Sequence, residues 1–366
     1  MNNKIKKYDV IVVYSESIAH SARNKQYKEK SPFSSKGKYG IYNDSYRYFL
    51  LRCKKIGIKA AFATSKNIIA PGSFQSFWTY DKGWVRNYGK AYSRVIFDKF
   101  TPSTIKQKSK LKLLTSLKSI YTFNNKKSKD IFQNKLNTYK SFKEFAIPTV
   151  GITNSSKQNI ILSKSRLDKL LRRHRHKIDF NDDYIIKDKT GACGLRIYKV
   201  DFDKFSFKKI MKHYELDKKR KKVLSYILQP FIKCNKGFVF GKYHGTIDLR
   251  VIVLNNKIIQ TYIRIAKKGK FKCNEHQGGK LVYIPIKKIP KDALIMARKI
   301  IKKLDAKLNS KHSLYTLDFM RSNNGNLYFI EGNNTPGIDW NHIKKINEIK
   351  SKELIDLIVN ELNLVI

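Results

Sequence analysis

Short apolar runs alternate with one amphipathic stretch through the first hundred residues. Asn43–Ile56 has the apolar spacing of a helix and stops at Gly57, a residue type that often caps a helix C-terminus. The apolar runs around it have the length of strands: Tyr8–Tyr14, Lys59–Thr64 and Arg94–Asp98. Strands that alternate with helices are typical of a parallel sheet, so the pattern predicts a small α/β segment at the N-terminus.

Longer elements follow a basic, polar stretch, Thr101–Lys129, which we interpret as a connection. Helical spacing predicts helices at Asn134–Phe145, Ser163–Lys177, Lys291–Leu308 and Lys350–Leu362. Apolar and β-branched runs predict strands at Asp183–Lys187, Arg196–Val200, Leu224–Ile232, Thr246–Leu254, Lys257–Ile265, Ser313–Met320 and Asn326–Ile330. Asn255-Asn256 joins two of these strands, and a two-residue Asn turn is typical of a β-hairpin.

Composition excludes several protein classes. Of the 366 residues, 41% are hydrophobic and 12% aromatic, which excludes a disordered basic tail. No stretch approaches the roughly 20 apolar residues of a membrane-spanning helix, and the first apolar run is too short for a signal peptide. The four cysteines are scattered without a CxxC pair, which indicates neither a disulfide framework nor a zinc site. We therefore expect a cytoplasmic protein without a membrane segment.

The net charge raises the question of a partner. Lys and Arg number 77 and Asp and Glu 28, which gives a formal net charge of +49. Such an excess is typical of proteins that bind nucleic acid, acidic lipid or an acidic substrate. Compositional drift is an equal alternative, because the abundant residue types Lys, Asn, Ile, Tyr and Phe all have A/T-rich codons. Charge alone leaves these alternatives open.

Oxygen-bearing side chains meet in the last predicted hairpin. Asp318 ends one apolar strand, and Glu331 and Asn333 follow the next strand with the spacing of a shared strand face. Two carboxylates and an amide on neighbouring strands suit a hard cation such as Mg²⁺. The alternative is an ordinary polar edge of a hairpin.

A lysine and a glycine-containing turn follow another predicted strand. Lys187 ends this strand, and the small residues of Thr190–Gly194 precede the next strand. Small residues let backbone N–H groups approach phosphate oxygens, and a lysine at the strand end supplies positive charge for the same phosphates. The alternative is a glycine-containing turn that binds no ligand.

Seven motifs, in this order, resemble the ATP-grasp ligases of the glutathione-synthetase-like group. The resemblance is nearest to the branch of the ribosomal-protein glutamate ligases and the spore-coat-associated ATP-grasp proteins, and it runs from about residue 130 to residue 340. The motifs are Asn134-Lys135 with Thr138-Tyr139, Ile186-Lys187 with Gly191 and Gly194, Leu228-Gln229-Pro230-Phe231-Ile232, Asp248-Leu249-Arg250-Val251, Phe271 to Gly279, Asp318, and Glu331-Gly332-Asn333-Asn334-Thr335-Pro336-Gly337.

The resemblance implies a fold and a division of the chain. The fold class is α/β, an ATP-grasp fold preceded by a small N-terminal α/β pre-grasp domain. We expect the pre-grasp domain at residues 1–120, the small lobe with its glycine loop at residues 121–235, and the large lobe with the metal site at residues 236–366.

The resemblance also implies residue roles. The residues that match ATP contacts are Lys135, Lys187, Gly191, Ala192, Gly194, Gln229, Pro230, Phe231, Ile232, Asp248, Lys272 and Asn274. The residues that match ligands of Mg²⁺ or Mn²⁺ are Asp318, Glu331 and Asn333. Arg264, and after it Arg250, is expected to hold the substrate carboxylate and the acyl phosphate, because a guanidinium fits both groups; Asn274 is a further catalytic candidate.

Two departures from the family pattern concern the nucleotide contacts. Asp188 stands where the family often has proline, and the loop has one glycine fewer, which bears on its flexibility. Pro230 stands where the family usually has an acid; proline removes a backbone N–H but keeps the carbonyl.

The implied activity is ATP-dependent carboxylate–amine ligation through an acyl phosphate. The product is open: an amino acid added to an acidic peptide or protein, a cross-linked peptide, or a small dipeptide-like metabolite. Two alternatives remain, a non-catalytic protein of this shape that binds nucleic acid or an acidic partner, and a phosphotransferase on the same fold. We expect an acidic peptide rather than nucleic acid as the partner, and no membrane; the oligomeric state is open.

Overall fold

Two compact units make up the chain. The computed structural model describes residues 5–23, 30–37, 39–102, 104–153, 156–191, 194, 196–202, 226–308, 311–340, 342 and 344–366. The first unit comprises Met1–Asn125, His312–Leu314 and Thr335–Ile366, and the second comprises Lys126–Lys311 and Tyr315–Asn334. The second unit thus contains most of both predicted lobes, and the C-terminal segment belongs to the first unit.

The secondary structure alternates short strands with helices. The strands are β1 (Lys6–Lys7), β2 (Val10–Tyr14), β3 (Ala60–Thr64), β4 (Ile68–Ala70), β5 (Ser73–Phe74), β6 (Phe77–Asp81), β7 (Gly83–Asn87), β8 (Ala91–Tyr92), β9 (Val95–Lys99), β10 (Tyr121–Thr122), β11 (Val150–Ile152), β12 (Phe180–Asp188), β13 (Ile197–Asp201), β14 (Tyr226–Ile232), β15 (Ile247–Leu254), β16 (Lys257–Ile265), β17 (Lys280–Tyr283), β18 (Leu314–Arg321) and β19 (Leu327–Asn333). The helices are α1 (Tyr42–Lys55), α2 (Ile105–Leu114), α3 (Lys126–Gln133), α4 (Lys135–Ser141), α5 (Lys157–Arg172), α6 (Lys291–Leu308) and α7 (Lys345–Asn363).

The first unit is built on a sheet of order β10-β9-β2-β3-β6-β7. β10, β9, β2 and β3 run parallel, and β6 and β7 form an antiparallel hairpin beside β3. The four residues from Val10 to Val13 are fully buried, as expected for a parallel strand that is covered on both faces. The parallel sheet predicted for the N-terminal segment is confirmed. A second sheet of this unit has the order β1-β8-β5-β4.

The second unit carries two sheets, of orders β11-β14-β12-β13 and β17-β16-β15-β18-β19. α5 packs against the first of them, through Ile160 and Leu167. α6 packs against the core of the second sheet through Ala297, Ile300 and Leu304, and its bounds are those that the sequence predicts. Its apolar residues recur at helical spacing, so burial of one face holds the helix in place.

Both hairpins of the five-stranded sheet contain one extra residue. Asn255 and Asn256 have φ values of 48° and 60°, as a two-residue hairpin turn requires, which confirms the predicted turn. Farther from the turn the register of β15 and β16 shifts by one at Ile259, and that of β18 and β19 shifts at Ile330. Since side chains alternate between faces, each shift changes which residues lie opposite each other from that point on.

Other elements differ from the expectations. The stretch interpreted as a connection, Thr101–Lys129, contains α2, β10 and the first turn of α3. Residues 224 and 225 of one expected strand lie outside the described residues. In the described part of the chain, no helix is long and apolar enough to cross a lipid bilayer.

Candidate active site

A cavity in the second unit is lined by residues from both of its sheets. The lining residues from the four-stranded sheet and its flank are Ile147, Ile185, Lys187, Ile197, Gln229, Pro230, Phe231 and Ile232. Those from the five-stranded sheet and its loops are Cys234, Asp248, Arg264, Phe271, Lys272, Cys273, Asn274, Asp318, Met320, Ile330 and Glu331. Eleven of the residues expected to bind ATP, substrate or metal therefore share one cavity.

One side of the cavity is apolar and includes the strand β14. The side chain of Gln229 is committed to the neighbouring strand, since its amide donates to the Thr149 hydroxyl at 2.6 Å. Pro230 cannot donate a backbone hydrogen bond, and the pairing of β12 with β14 is irregular at this point. Phe231 contacts the edge of Phe271, with ring centroids 5.8 Å apart, and so adds flat apolar surface.

Lys187 and Glu331 line the cavity, and Lys135 lies beside Glu331. Lys187, at the end of β12, is only 6% exposed, and burial lowers its pKa to about 8 against the attraction of Glu331. Lys135, at the start of α4, lies 3.4 Å from Glu331 and also donates to the Gly191 carbonyl. Burial alone would raise the pKa of Glu331, but the two ammonium groups bring it below its ordinary value. The carboxylate is therefore ionised at neutral pH.

The glycine loop is tied down at both ends. Asp188 accepts from the backbone N–H of Thr190 at 2.9 Å and pairs with Arg196 at 3.1 Å. Gly194 has a φ of +68°, and a Cβ there would lie 2.6 Å from the Asn274 side chain, so only glycine fits. Asp188 thus anchors the loop, a role that sequence reasoning missed.

The loop also contacts the segment expected to touch phosphates. Lys272 donates to the Gly194 carbonyl at 3.1 Å, and Asn274 lies against the same glycine. Ala192 and Cys193, between the two glycines, lie outside the described residues.

Two arginines and two aspartates form a buried network beside the lysines. Arg264 binds Asp248 through two hydrogen bonds of 2.7 and 2.8 Å, and its Nη2 donates to Asp318 at 2.7 Å. Arg250 binds both oxygens of Asp318 at 2.6 Å. Burial would raise the pKa of Asp318, but the two guanidinium groups hold it below its ordinary value.

The network depends on Ile259 of β16 being bulged out of the strand register. With Ile259 inserted in the register, Asp248 lies opposite Arg264 and Arg250 lies opposite Tyr262, whose hydroxyl Arg250 contacts at 3.3 Å. The arginines expected to hold substrate are thus already paired, and Nη1 of Arg264 is the guanidinium nitrogen outside these contacts. Sequence reasoning missed Tyr262; its position two residues before Arg264 on one strand face was the available signal.

The residues expected to bind metal lie on one hairpin. Asp318 and Glu331 are directly opposite each other in β18 and β19 because Ile330 shifts the register, and Asn333 pairs with Thr316 farther along. Gly332 lies between Glu331 and Asn333, and a Cβ at this position would be 2.2 Å from the ring of Phe132. In the described residues no three His, Cys, Asp or Glu side chains group as a metal site, so the hairpin offers two carboxylates and an amide.

This donor set fits Mg²⁺ shared with a phosphate ligand. Mg²⁺ usually binds one or two protein carboxylates and completes its shell with substrate phosphates and water. Glu331 is ionised and lies beside Lys135 and Lys187, the two cations that the sequence leads us to expect at the phosphates. Asp318 is 1% exposed and its carboxylate accepts from both arginines, so the arginines and a bound Mg²⁺ would share its negative charge.

Comparison with known proteins agrees with this geometry. Residues 139–358, more than half of the chain, match the family model described as a RimK-like ATP-grasp domain. A curated relative from Haemophilus influenzae, named "Probable alpha-L-glutamate ligase", is 33% identical over 115 residues, which are 31% of this chain and 35% of the relative. The chain thus spans about a third of the length of this relative.

Solved structures show the same fold. D-alanyl-alanine synthetase A from Vibrio cholerae has a TM-score of 0.57 at 13% identity, covering 97% of this chain and 98% of that one. A RiPP-associated ATP-grasp ligase from Chryseobacterium gregarium, solved with ADP and a leader and core peptide, has a TM-score of 0.53 at 15% identity, covering 96% and 97%. The predicted ATP-grasp fold is confirmed; at these identities the likeness extends to the fold alone.

Proposed function

The chain belongs to the RimK-like ATP-grasp family, and from this premise we propose that it is an ATP-dependent carboxylate–amine ligase. The observation that carries the proposal is the cavity of the second unit, whose lining joins apolar side chains to two lysines, one arginine and three carboxylates. An apolar slot suits a nucleobase, and clustered lysines suit its phosphates.

We assign the apolar side to the adenine ring. Ile185, Phe231 and Met320 line it together with Pro230 of β14. Pro230 has no backbone N–H to donate but keeps a carbonyl, which we assign as an acceptor for the amino group of the base. The lining fits a flat aromatic base with polar edges.

We assign the polar end to the phosphates and the metal. Lys135 and Lys187 offset phosphate charge, and Lys272 adds a third cation from the facing segment. Asp318, Glu331 and Asn333 would hold Mg²⁺ or Mn²⁺, which would neutralise negative charge that develops in the reaction. The loop anchored by Asp188 would cover the γ-phosphate and limit access of water.

The arginines are assigned to the second substrate. A substrate carboxylate oxygen attacks the γ-phosphorus, the bond to the bridging oxygen of ADP breaks, and an acyl phosphate forms. An amine then attacks the acyl carbon, loses a proton and displaces phosphate, leaving an amide. Arg264, with Arg250 beside it, binds the carboxylate and the transferred phosphoryl group while remaining paired with Asp318. Asn274 lies at the same end and can donate to an oxygen of the transferred group.

Acidic amino acids or acidic peptides are the substrate class that we propose. The relative from Haemophilus influenzae is named a probable glutamate ligase, and this chain carries a net charge of +49, which attracts acidic substrates. Both observations support a substrate with more than one carboxylate.

Phosphate release with product analysis tests the activity. Purified chain, ATP and Mg²⁺ are incubated with amino acids and acidic peptides, and products are identified by mass spectrometry. We expect phosphate release together with a product that is one water lighter than its two substrates. Glu331→Gln removes a charge at the polar end and should lower phosphate release at least about a hundredfold.

The matched control is Glu144→Gln, which changes a surface glutamate paired with Lys303 in the same unit and should leave the rate within about twofold. Equal loss in both variants, or phosphate retained on a stable product without a new amide, would contradict the ligase proposal.

A further inference from the structure

A second cavity, of about 480 Å³, lies in the first unit. Three segments that follow parallel strands line it, together with one residue of the loop before β6. The lining residues are Glu16, Ala19, His20 and Ser21 after β2, Lys66 after β3, Gln75, and Lys106, Gln107 and Lys110 of α2 after β9. None of them was singled out from the sequence.

The position of this cavity is one at which α/β sheets bind ligands. From β2 the chain passes through α1 to β3 on one side, whereas β9 lies on the other side of β2. The strand order therefore reverses at β2, and a crevice opens at the carboxyl ends of the strands at such a reversal. The size also lies in the range of small-ligand sites.

The lining carries an excess of positive charge. Lys66, Lys106 and Lys110 face a single carboxylate, that of Glu16. Within the described residues, Lys66 and Lys106 are exposed and neither takes part in a salt bridge or side-chain hydrogen bond, whereas Lys110 donates to the Ile68 carbonyl at 2.5 Å. An anion in the cavity would supply the missing partners.

The surrounding backbone strengthens the positive potential. α2 begins at the cavity, and its first turn has no acidic residue but does have Lys106. A lysine at a helix N-terminus is unfavourable, because the helix dipole is positive there, and a bound anion would offset this repulsion by attracting both positive groups. The lysines and the helix therefore favour the same ligand charge.

Neutral polar groups in the lining match a peptide better than a simple anion. Ser21 and Gln75 line the cavity; the Ser21 hydroxyl accepts from Asn67 at 2.7 Å and keeps its O–H as a donor, and the Gln75 oxygen accepts from Arg23 at 2.9 Å, which leaves its NH₂ group as a donor. Hydroxyl and carboxamide groups can bond the N–H and C=O groups of an extended backbone. The two unpaired lysines come from separate elements, which suits two carboxylates along a chain.

We propose that this cavity binds an acidic peptide, with its carboxylates against Lys66 and Lys106. The peptide is a substrate of the ligase; this second statement rests on the proposed function, whereas the binding itself does not.

Binding is tested on the full chain without ATP. The probe is a fluorescent peptide of six residues rich in Glu, compared with its Gln counterpart, at low salt and by fluorescence anisotropy. The double variant Lys66→Glu/Lys106→Glu should weaken the Glu peptide at least about tenfold. Glu16→Gln keeps the oxygen that accepts from Ser65 and should strengthen binding about twofold.

The matched control is Lys108→Glu/Lys112→Glu, which makes the same change in net charge at exposed positions of α2 outside the lining. It should leave the Kd within about twofold. Equal weakening by both double variants would show that only the overall field acts and would overturn the proposal. So would full competition by inorganic phosphate at the concentration at which unlabelled peptide competes, because the site would then take a simple anion.

Failure of this inference differs from failure of the ligase proposal. If the wild-type chain releases phosphate with the peptide but Lys66 and Lys106 do not affect binding, the cavity assignment is wrong. If binding depends on both lysines but no carboxylate yields phosphate release, the cavity assignment stands and the ligase proposal is wrong.

Discussion

The two cavities of this chain hold charge in opposite ways. In the second unit the charged groups are buried and matched: Arg264 lies between Asp248 and Asp318, and Glu331 faces two lysines. In the first unit Lys66 and Lys106 are exposed and outnumber the one carboxylate of the lining.

The difference concerns what each arrangement can do. A buried, hydrogen-bonded charge has a fixed direction, as is needed to stabilise charge developing at one atom. Exposed lysines with flexible side chains create a positive electrostatic potential, which attracts and holds an anion without a fixed geometry. This contrast supports our proposals that the second unit carries the chemistry and that the first unit binds the acidic peptide.

The largest test of this contrast removes one carboxylate from each cavity. Asp318→Ala leaves Arg250 and Arg264 buried without a full partner and should lower the free energy of unfolding by about 3–5 kcal/mol. Glu16→Ala should change it by less than about 0.5 kcal/mol, because the side chain is exposed. Native-state hydrogen exchange of amides in β15 and β2 measures the two effects separately. Similar losses would remove the distinction between the cavities.

The next largest effect is expected when one lysine of each cavity is replaced by methionine. Lys187→Met should abolish phosphate release yet raise the free energy of unfolding at pH 7 by about 1–3 kcal/mol, because the burial of a charged ammonium is relieved. Lys66→Met should change stability by less than about 0.5 kcal/mol.

The gain from Lys187→Met should depend on pH. Below pH 8 the folded and unfolded wild-type chains both carry the charge, so the unfavourable burial is present in full. Between about pH 8 and the ordinary value of 10.5 the folded chain loses this proton first, so the wild type becomes more stable and the advantage of the variant shrinks. Urea unfolding at pH 7 and pH 10 measures this change; a gain that grows with pH would contradict the lowered pKa.

The smallest effect is expected when one charge in the cavity of the first unit is reversed. Lys106→Glu places an acid in the first turn of α2 and should stabilise the chain by about 0.3–0.5 kcal/mol at low salt. The gain should fall as salt is raised, since the site is exposed. Thermal unfolding of wild type and variant at two salt concentrations measures it, and destabilisation would indicate that Lys106 has a structural partner.

Local patterns predicted much of the fold because local energetics decide it. β16 and α6 have the bounds that the sequence indicates, since a two-residue Asn turn and one apolar helix face leave little choice. The strands between β3 and β9 were not predicted: Trp78, for example, is buried in a hairpin whose pairing with β3 depends on tertiary packing. α7 was predicted, but its place in the first unit follows from long-range contacts that no local pattern contains.

The candidate active site shows more clearly that long-range pairing cannot be predicted from local sequence patterns. Family-like order indicated Asp248, Arg264 and Asp318 separately, but their mutual pairing depends on Ile259, which two-residue turn geometry alone does not predict. If Ile259 were paired regularly instead of bulged, Asp248 would lie opposite Ile263, on the wrong phase of the strand. Asp188, flagged as a departure from the family, proved to anchor the loop through the Thr190 backbone and Arg196.

The extra residue Ile259 also separates the tip of its hairpin from the charged network. Asn255 and Asn256 close the turn on one side of it, and every charged pair lies on the other. The tip is therefore a module that can be exchanged for another two-residue turn, or used to attach a label, while the network keeps its alignment. Deleting Ile259 would leave the same residues opposite each other, Asp248 with Arg264 and Arg250 with Tyr262, and would remove only the bend and added twist of the bulge.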